Sequence, residues 1–352
     1  MSARVATTLA TTMPDAPASL TGEDSVSQRP VEHVTEPRLR ATAASEAMRA
    51  RLETVIQTAE QVVFGKSGEI RLALACLLAR GHLLIEDLPG VGKTTLAHLL
   101  ARLMGVEFQR IQFTSDLLPA DVLGVYVYER DAARFTFHPG PIFTHVVLAD
   151  EINRATPRAQ SALLEAMEER QVTIENETHA LPQPFFVIAT QNPSDQIGTF
   201  ALPESQLDRF LMCISLGYPD RRAERALLKA PDRRVALSEL APVLARDELL
   251  ALQEKVDAVH VSDALLDYVQ DVLDYSRRAP QFSCGLSPRA GLALLRAARA
   301  WALIDGRHHV MPDDIQAVLP SVAVHRLRPV DSSRGVDAAY IREQLASAVP
   351  IP

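Results

Sequence analysis

Lys93 and Thr94 follow two closely spaced glycines in the run Glu86-Asp87-Leu88-Pro89-Gly90-Val91-Gly92-Lys93-Thr94-Thr95. Glycine lets backbone N–H groups wrap an anion at close range. An apolar strand precedes the run and a helical pattern follows it, which is the setting of a P-loop. There Lys93 would contact the β- and γ-phosphates of a nucleoside triphosphate and the Thr94 hydroxyl would coordinate Mg²⁺, with the helix N-terminus adding a positive dipole end. Pro89, Gly90, Val91, Gly92, Lys93, Thr94 and Thr95 are therefore the candidate phosphate residues. One position departs from the usual pattern. Asp87 stands where the motif opens with glycine, and its side chain tolerates unusual backbone angles better than most. A Gly-Lys-Thr match can arise by chance, so the flanking elements carry the reading.

A second signal is Val146-Val147-Leu148-Ala149-Asp150-Glu151. An apolar strand that ends in adjacent carboxylates presents them at the carboxyl edge of a sheet, where open α/β folds bind ligands. Asp150 would hold Mg²⁺, mostly through water, and Glu151 would orient and deprotonate the attacking water. Alone, such a pair is usually a solvated loop entry. Downstream of a P-loop the hydrolytic reading is favoured.

The elements that must position these residues alternate. His82–Glu86, Phe108–Phe113, Val146–Ala149 and Phe185–Thr190 read as strands, and Lys93–Leu103 and Pro157–Arg170 as helices. Strands apolar on both faces, alternating with helices, predict a parallel sheet covered on both sides. Ahead of them, Leu52, Val55, Ile56, Ala59 and Val63 share one helical face from about Ala47, and Glu69–Arg80 predicts a buried helix. Two β-hairpins interrupt the pattern, Val125–Tyr128 with Arg134–His138 and Gln171–Ile174 with Thr178–Leu181. After Pro219 the strands stop, and helices follow at about Asp220–Leu228, Asp247–Val259, Asp263–Arg278, Pro288–Ile304 and Pro312–Arg326. The expected organisation is a disordered tail over 1–45, an αβα nucleotide-binding domain over 46–218, a helical lid over 219–328 and a weakly structured tail over 329–352.

The bulk properties agree. Hydrophobic residues make up 47% and charged residues 23% of the 352, as in ordinary globular proteins. The net charge of −8 and the lack of a basic-aromatic stripe argue against a nucleic-acid motor. Apolar runs such as Leu72–Ala79 are far shorter than a membrane span, and the N-terminus lacks a secretory apolar core. Cys76, Cys213 and Cys284 have no metal-ligand spacing. Cys76 and Cys213 read as buried inert thiols, and the expected compartment is a reducing cytoplasm.

With these pieces in place, the chain resembles the AAA+ ATPases, an αβα sandwich plus a C-terminal α-helical lid, and within them the MoxR family. The segments that carry the resemblance are Asp150-Glu151-Ile152-Asn153-Arg154-Ala155, Gln160-Ser161-Ala162-Leu163-Leu164-Glu165-Ala166-Met167-Glu168-Glu169, Ala189-Thr190-Gln191-Asn192-Pro193 and Leu202-Pro203-Glu204-Ser205-Gln206-Leu207-Asp208-Arg209-Phe210. It covers about residues 50–328. It implies that Asn192 is sensor 1 and that Arg209 is an arginine finger reaching a neighbouring copy's ATP, with Arg154 a second candidate for contact between copies. The alternative for Arg209 is a salt bridge to Asp208 or Glu204. Arg289 resembles sensor 2, and Ser287 as N-cap with Pro288 at the first helical position would put it in the first turn of a lid helix. Val62-Val63-Phe64-Gly65 resembles the segment lining the adenine. The two hairpins resemble insertions that project toward a ring pore or a client. Tyr126, Tyr128, Phe135 and Phe137 alternate on the first of them, where they either face a client or pack on their own domain.

The resemblance also implies ATP and Mg²⁺ as cofactors and a homo-oligomer, a hexameric ring. Partners of such proteins often carry a von Willebrand factor A domain, and this chain contains none. Three purposes compete: a chaperone-like ATPase that remodels a client protein complex, an ATP-controlled binding switch with slow turnover, and a nucleic-acid motor, which the charge disfavours.

Overall fold

In the computed structural model the described residues are 35–351 apart from 132, 193–197, 230–236, 238 and 332–336. Helix α1, Thr35–Glu60, begins ahead of the expected start near Ala47 and so enters the segment expected as a tail. Ala41, Ala43 and Ala44 favour helix, and Pro37 lies in the first turn, where a missing N–H costs least. The rest of that expected tail, 1–34, falls outside the described residues.

Helix α2, Ser67–Leu78, precedes strand β1, Leu83–Glu86, and helix α3, Lys93–Leu103. Strand β2 is Phe108–Gln112 and a short helix α4 is Pro119–Leu123. The first inserted hairpin is β3, Gly124–Glu129, with β4, Arg134–Pro139. Strand β5, Val146–Asp150, is fully buried and leads into helix α5, Pro157–Glu169. The second hairpin is β6, Gln171–Ile174, with β7, Glu177–Ala180, and β8 is Phe186–Gln191. One turn of helix α6, Glu204–Leu207, precedes β9, Met212–Ile214.

Five of these strands form one parallel sheet in the order β2-β5-β8-β1-β9. The predicted sheet is present, with two corrections. Strand β9 went unpredicted because three residues are too few to show a period. Strand β2 is an edge strand whose Gln109, Arg110 and Gln112 are exposed, rather than a strand buried on both faces. Because β5, β8 and β1 are adjacent, the loops that leave their carboxyl ends sit side by side, at the roughly 4.8 Å spacing of neighbouring strands.

Helix α7, Arg221–Lys229, is followed by α8, Arg246–Asp257, α9, Asp263–Arg278, α10, Pro288–Ile304, and α11, Pro312–Ala323. Strands do not stop at Pro219, since β10, Phe282–Cys284, pairs antiparallel with β11, Arg328–Pro329. The tail expected over 329–352 is also corrected. Helix α12, Ala338–Ile341, runs on into a π-helical turn at Arg342–Ala346. Ile341, Leu345 and Val349, spaced four apart, are buried in the main core.

The expected boundary near Tyr218 marks a change of architecture and not a gap in packing. Leu74 and Leu77 of α2 share one apolar cluster with Leu249 of α8 and Leu303 of α10. Arg71 of α2 lies 4.3 Å over the Trp301 ring and pairs with Asp305. Arg326 donates to the Asp208 carboxylate at 2.6 Å and to the Phe210 carbonyl at 2.7 Å, so the turn after α11 is tied to the turn before β9.

The two hairpins lean on each other. Tyr126 donates its hydroxyl hydrogen to Glu177 at 2.5 Å, and Phe137 stacks on His179 with centroids 4.1 Å apart. Tyr128 and Phe135, paired across the same face, stay 51% and 65% exposed at the tip. The aromatic alternation therefore splits: its base packs within the protein and its tip faces outward.

Candidate functional site

The P-loop leaves β1 at Glu86 and enters α3 at Lys93. Gly90 and Gly92 take left-handed angles, φ 86° and 102°. Gly90 is exposed, with no neighbour within 4 Å of a Cβ there. Gly92 is the N-cap of α3 and no side chain among the described residues caps the helix. The first-turn N–H groups therefore remain available to an anion. The Lys93 ammonium folds back over the loop and donates to the Asp87 carbonyl at 2.6 Å. Burial lowers its pKa, while the carboxylates of Asp87, Asp150 and Glu151 act in the opposite direction.

Asp87 resolves the departure in the motif. Its φ is not positive, so glycine is not required there. The carboxylate, 6% exposed, accepts from the Leu88 N–H at 2.8 Å, the Gly217 N–H at 2.6 Å and the Ser215 hydroxyl at 3.1 Å. It bolts the start of the loop to the segment after β9. That segment also meets the residue that follows the expected adenine segment, since Lys66 donates to the Tyr218 carbonyl at 3.1 Å. Val63 is buried, Phe64 is half-buried, and Gly65 has φ 69°, where a Cβ would come within 2.9 Å of Ala223. We expect Asp87→Ala, and equally Asp87→Gly, to weaken ATP binding and to cost roughly 1–3 kcal/mol of stability through three abandoned donors. Nucleotide titration and denaturant unfolding check this. A glycine variant as stable and as tight as the wild type would remove the anchoring role.

At the end of β5, Asp150 accepts the Thr190 hydroxyl at 2.6 Å on one oxygen and Arg110 at 2.7 Å on the other. Glu151 sits in the left-handed region, φ 58° and ψ 48°, and its N–H donates to the Thr190 hydroxyl at 2.9 Å. Its carboxylate accepts from Gln112 at 2.9 Å and pairs with Arg154 at 3.2 Å. Thr190, Arg110 and Gln112 thus orient the two carboxylates, and the sequence reading missed all three. Thr190 lay within a quoted motif, and the only sign of the other two was a pair of polar residues on one face of an edge strand. Asn192 follows β8, is 8% exposed, and stands between the P-loop and the Asp150 strand.

The expected arginines divide. Arg154 contacts Glu151 of its own chain. Arg209 and Arg289 come together on one carboxylate, Glu168, at 3.0 and 2.5 Å. Asp208 and Glu204, the alternative partners of Arg209, are taken by Arg326 and Arg328. Ser287 caps α10 as expected, accepting from the Ala290 N–H at 3.1 Å. Yet Arg289 does not face its own P-loop. Helix α5 starts near Glu151 and its 13 residues run about 20 Å to Glu168. Met167 accepts from the His82 ring at 3.1 Å, and His82 precedes β1, so this end of α5 lies at the amino edge of the sheet. Burial lowers the His82 pKa to about 4, which keeps the ring neutral there.

The donor set fits a magnesium-bound nucleoside triphosphate. There is a glycine cradle on an uncapped helix start and a lysine beside it. Thr94 and Asp150 could hold the metal, and Glu151 lies alongside. A parallel sheet with these loops on adjacent carboxyl ends, followed by a helical lid, defines an AAA-type P-loop ATPase.

The comparisons with known proteins agree. Residues 82–212 match the family model "ATPase family associated with various cellular activities (AAA)" and residues 274–344 the model "AAA lid domain". The chain is 44% identical to the uncharacterized protein YeaC of Bacillus subtilis, over 88% of this chain and 98% of that one. It is 41% identical to the chaperone MoxR1 of Mycobacterium tuberculosis, over 78% of this chain and 75% of that one. A crystal structure from Cytophaga hutchinsonii, described as a candidate ATPase, superposes with TM-score 0.79 at 34% identity, over 90% of this chain and 99% of that one. The protein belongs to the MoxR family of AAA+ ATPases. No helix among the described residues is long and apolar enough to cross a membrane.

Proposed function

We propose that this ATPase works between copies of itself and uses turnover to remodel or mature a client protein complex. The observation that carries the reading is the pairing of Arg209 with Arg289 at the sheet edge opposite the P-loop. From there the two guanidinium groups serve the ATP of an adjacent copy, as a finger and a second trans-acting cation. On this reading Arg289, like Arg209, acts on a neighbour's nucleotide and not on its own.

In the site, Val63, Phe64 and Gly65 line the base, and residues 89–95 with Lys93 hold the phosphates. Thr94 and Asp150 would hold Mg²⁺, which when bound would neutralise charge on the phosphate oxygens. Glu151 takes the proton of the attacking water, and Asn192 orients that water. A hexameric ring is the assembly we favour. The cytoplasm is the expected compartment, and a protein with a von Willebrand factor A domain the expected partner. The relative named as a chaperone supports remodelling over a passive switch.

The test is steady-state ATP turnover by the wild type and Lys93→Ala, with and without such a partner. The expected result is Mg²⁺-dependent turnover, lost in the variant and raised by the partner. Turnover that ignores every protein partner would favour the slow switch. Salt-sensitive stimulation by DNA would favour a nucleic-acid motor.

A further inference from the structure

Glu168 gathers two cations that would otherwise repel each other. Its Oε2 takes one Nη2 of Arg209 at 3.0 Å and its Oε1 takes one Nη2 of Arg289 at 2.5 Å. Each guanidinium carries five N–H donors and commits a single nitrogen to Glu168, which among the described residues leaves the rest of each fork for phosphate oxygens. The surroundings add positive charge. Arg170 and Arg296 line the same cleft, and the Arg170 pKa is lowered by burial first and then by Arg80 and Arg296. Asp208, the other carboxylate of the cleft, is occupied by Arg326. Glu168 is thus the one carboxylate among the cleft's lining residues that holds Arg209 and Arg289 at a common point.

Its place in the chain matters as much as its charge. Glu168 is on the last turn of α5, the helix that starts beyond Glu151. A rigid helix therefore joins the hydrolytic glutamate of one copy to the arginines that copy offers to the next.

We propose that Glu168 is a positioning residue for both trans-acting arginines. It sets the geometry in which Arg209 and Arg289 meet a neighbour's phosphates, and it ties that geometry to the state of its own chain's site. The proposal rests on the reading that these arginines act between copies.

The experiment uses the full chain at a concentration where it assembles. Glu168→Gln removes the charge and keeps the shape. We expect kcat to fall roughly 10- to 100-fold, the size of effect that a small misplacement of a catalytic group produces. We expect KM and the Kd for ATP to stay within about twofold, because the P-loop is untouched. Glu168→Asp keeps the charge on a shorter arm and should recover part of the loss. The decisive arm mixes Glu168→Gln with Glu151→Gln, which has a dead site and intact arginines. Turnover of the mixture should exceed the sum of the two alone, since each supplies what the other lacks. A mixture no better than the sum would overturn the proposal. So would wild-type kcat in Glu168→Gln while Arg209→Ala and Arg289→Ala lose theirs. If both arginine variants keep wild-type turnover, the between-copies reading is itself wrong and the proposal goes with it.

Discussion

Glu151→Gln is expected to leave ATP bound and unhydrolysed. The expected fall in turnover is about 10²- to 10⁴-fold, the usual contribution of a positioned general base. The variant is expected to fold normally because the fixed part of residue 151 is its backbone. The N–H to Thr190 does not depend on the side chain, and glutamine fits the space of glutamate beside Gln112 and Arg154. Lys93, Thr94 and Asp150 are untouched, so ATP affinity should change less than threefold on a fluorescent-nucleotide titration. The stalled complex is also the best reagent for recovering partners, since the ATP-bound state persists. Near-normal hydrolysis by Glu151→Gln would assign the base to another group.

Arg209→Ala is expected to lower kcat by roughly 10³-fold, at the lower end of what an arginine finger supplies. The affinity of an isolated chain for ATP should not change, because Arg209 sits at the amino edge of the sheet beside Glu168 and far from its own P-loop. A cis role and a trans role are separated by mixing with Glu151→Gln. A trans finger gives complementation and a cis residue gives none. Turnover that survives in Arg209→Ala would leave the Glu168 contact as an ordinary surface ion pair, worth about 0–1 kcal/mol.

Much of the candidate site is legible in the sequence alone, for a physical reason. Phosphate binding is done by backbone and by residues adjacent in sequence, so Gly90, Gly92, Lys93 and Thr94 carry their own context. Asp150 and Glu151 were legible because an apolar strand must end before a carboxylate can be presented. What stayed hidden depends on neighbours distant in the chain. Asp87 reads as a departure from the motif, and only the fold brings Ser215 and Gly217 onto its carboxylate. Arg110 and Gln112 acquire meaning only from the pairing of β2 with β5. Arg289 was placed in the right turn of the right helix, yet the edge of the sheet it reaches is a matter of lid packing, which no local pattern records. The C-terminal segment was underestimated because Ile341, Leu345 and Val349 are few and widely spaced. They count only once a core is there to receive them.

If Arg209 and Arg289 serve a neighbour's nucleotide, a chain whose P-loop and arginines lie on opposite edges of one sheet would hold half of each of two catalytic centres. Copies that complete each other's centres would then have to meet head to tail, since a twofold contact would need both halves on one face. Closed rings and open rows differ in yield. Every centre in a ring is complete, whereas the last copy of a row keeps a nucleotide that no arginine reaches. Activity per chain would then measure how many assemblies have closed, and dilution would lower it even when the nucleotide is saturating.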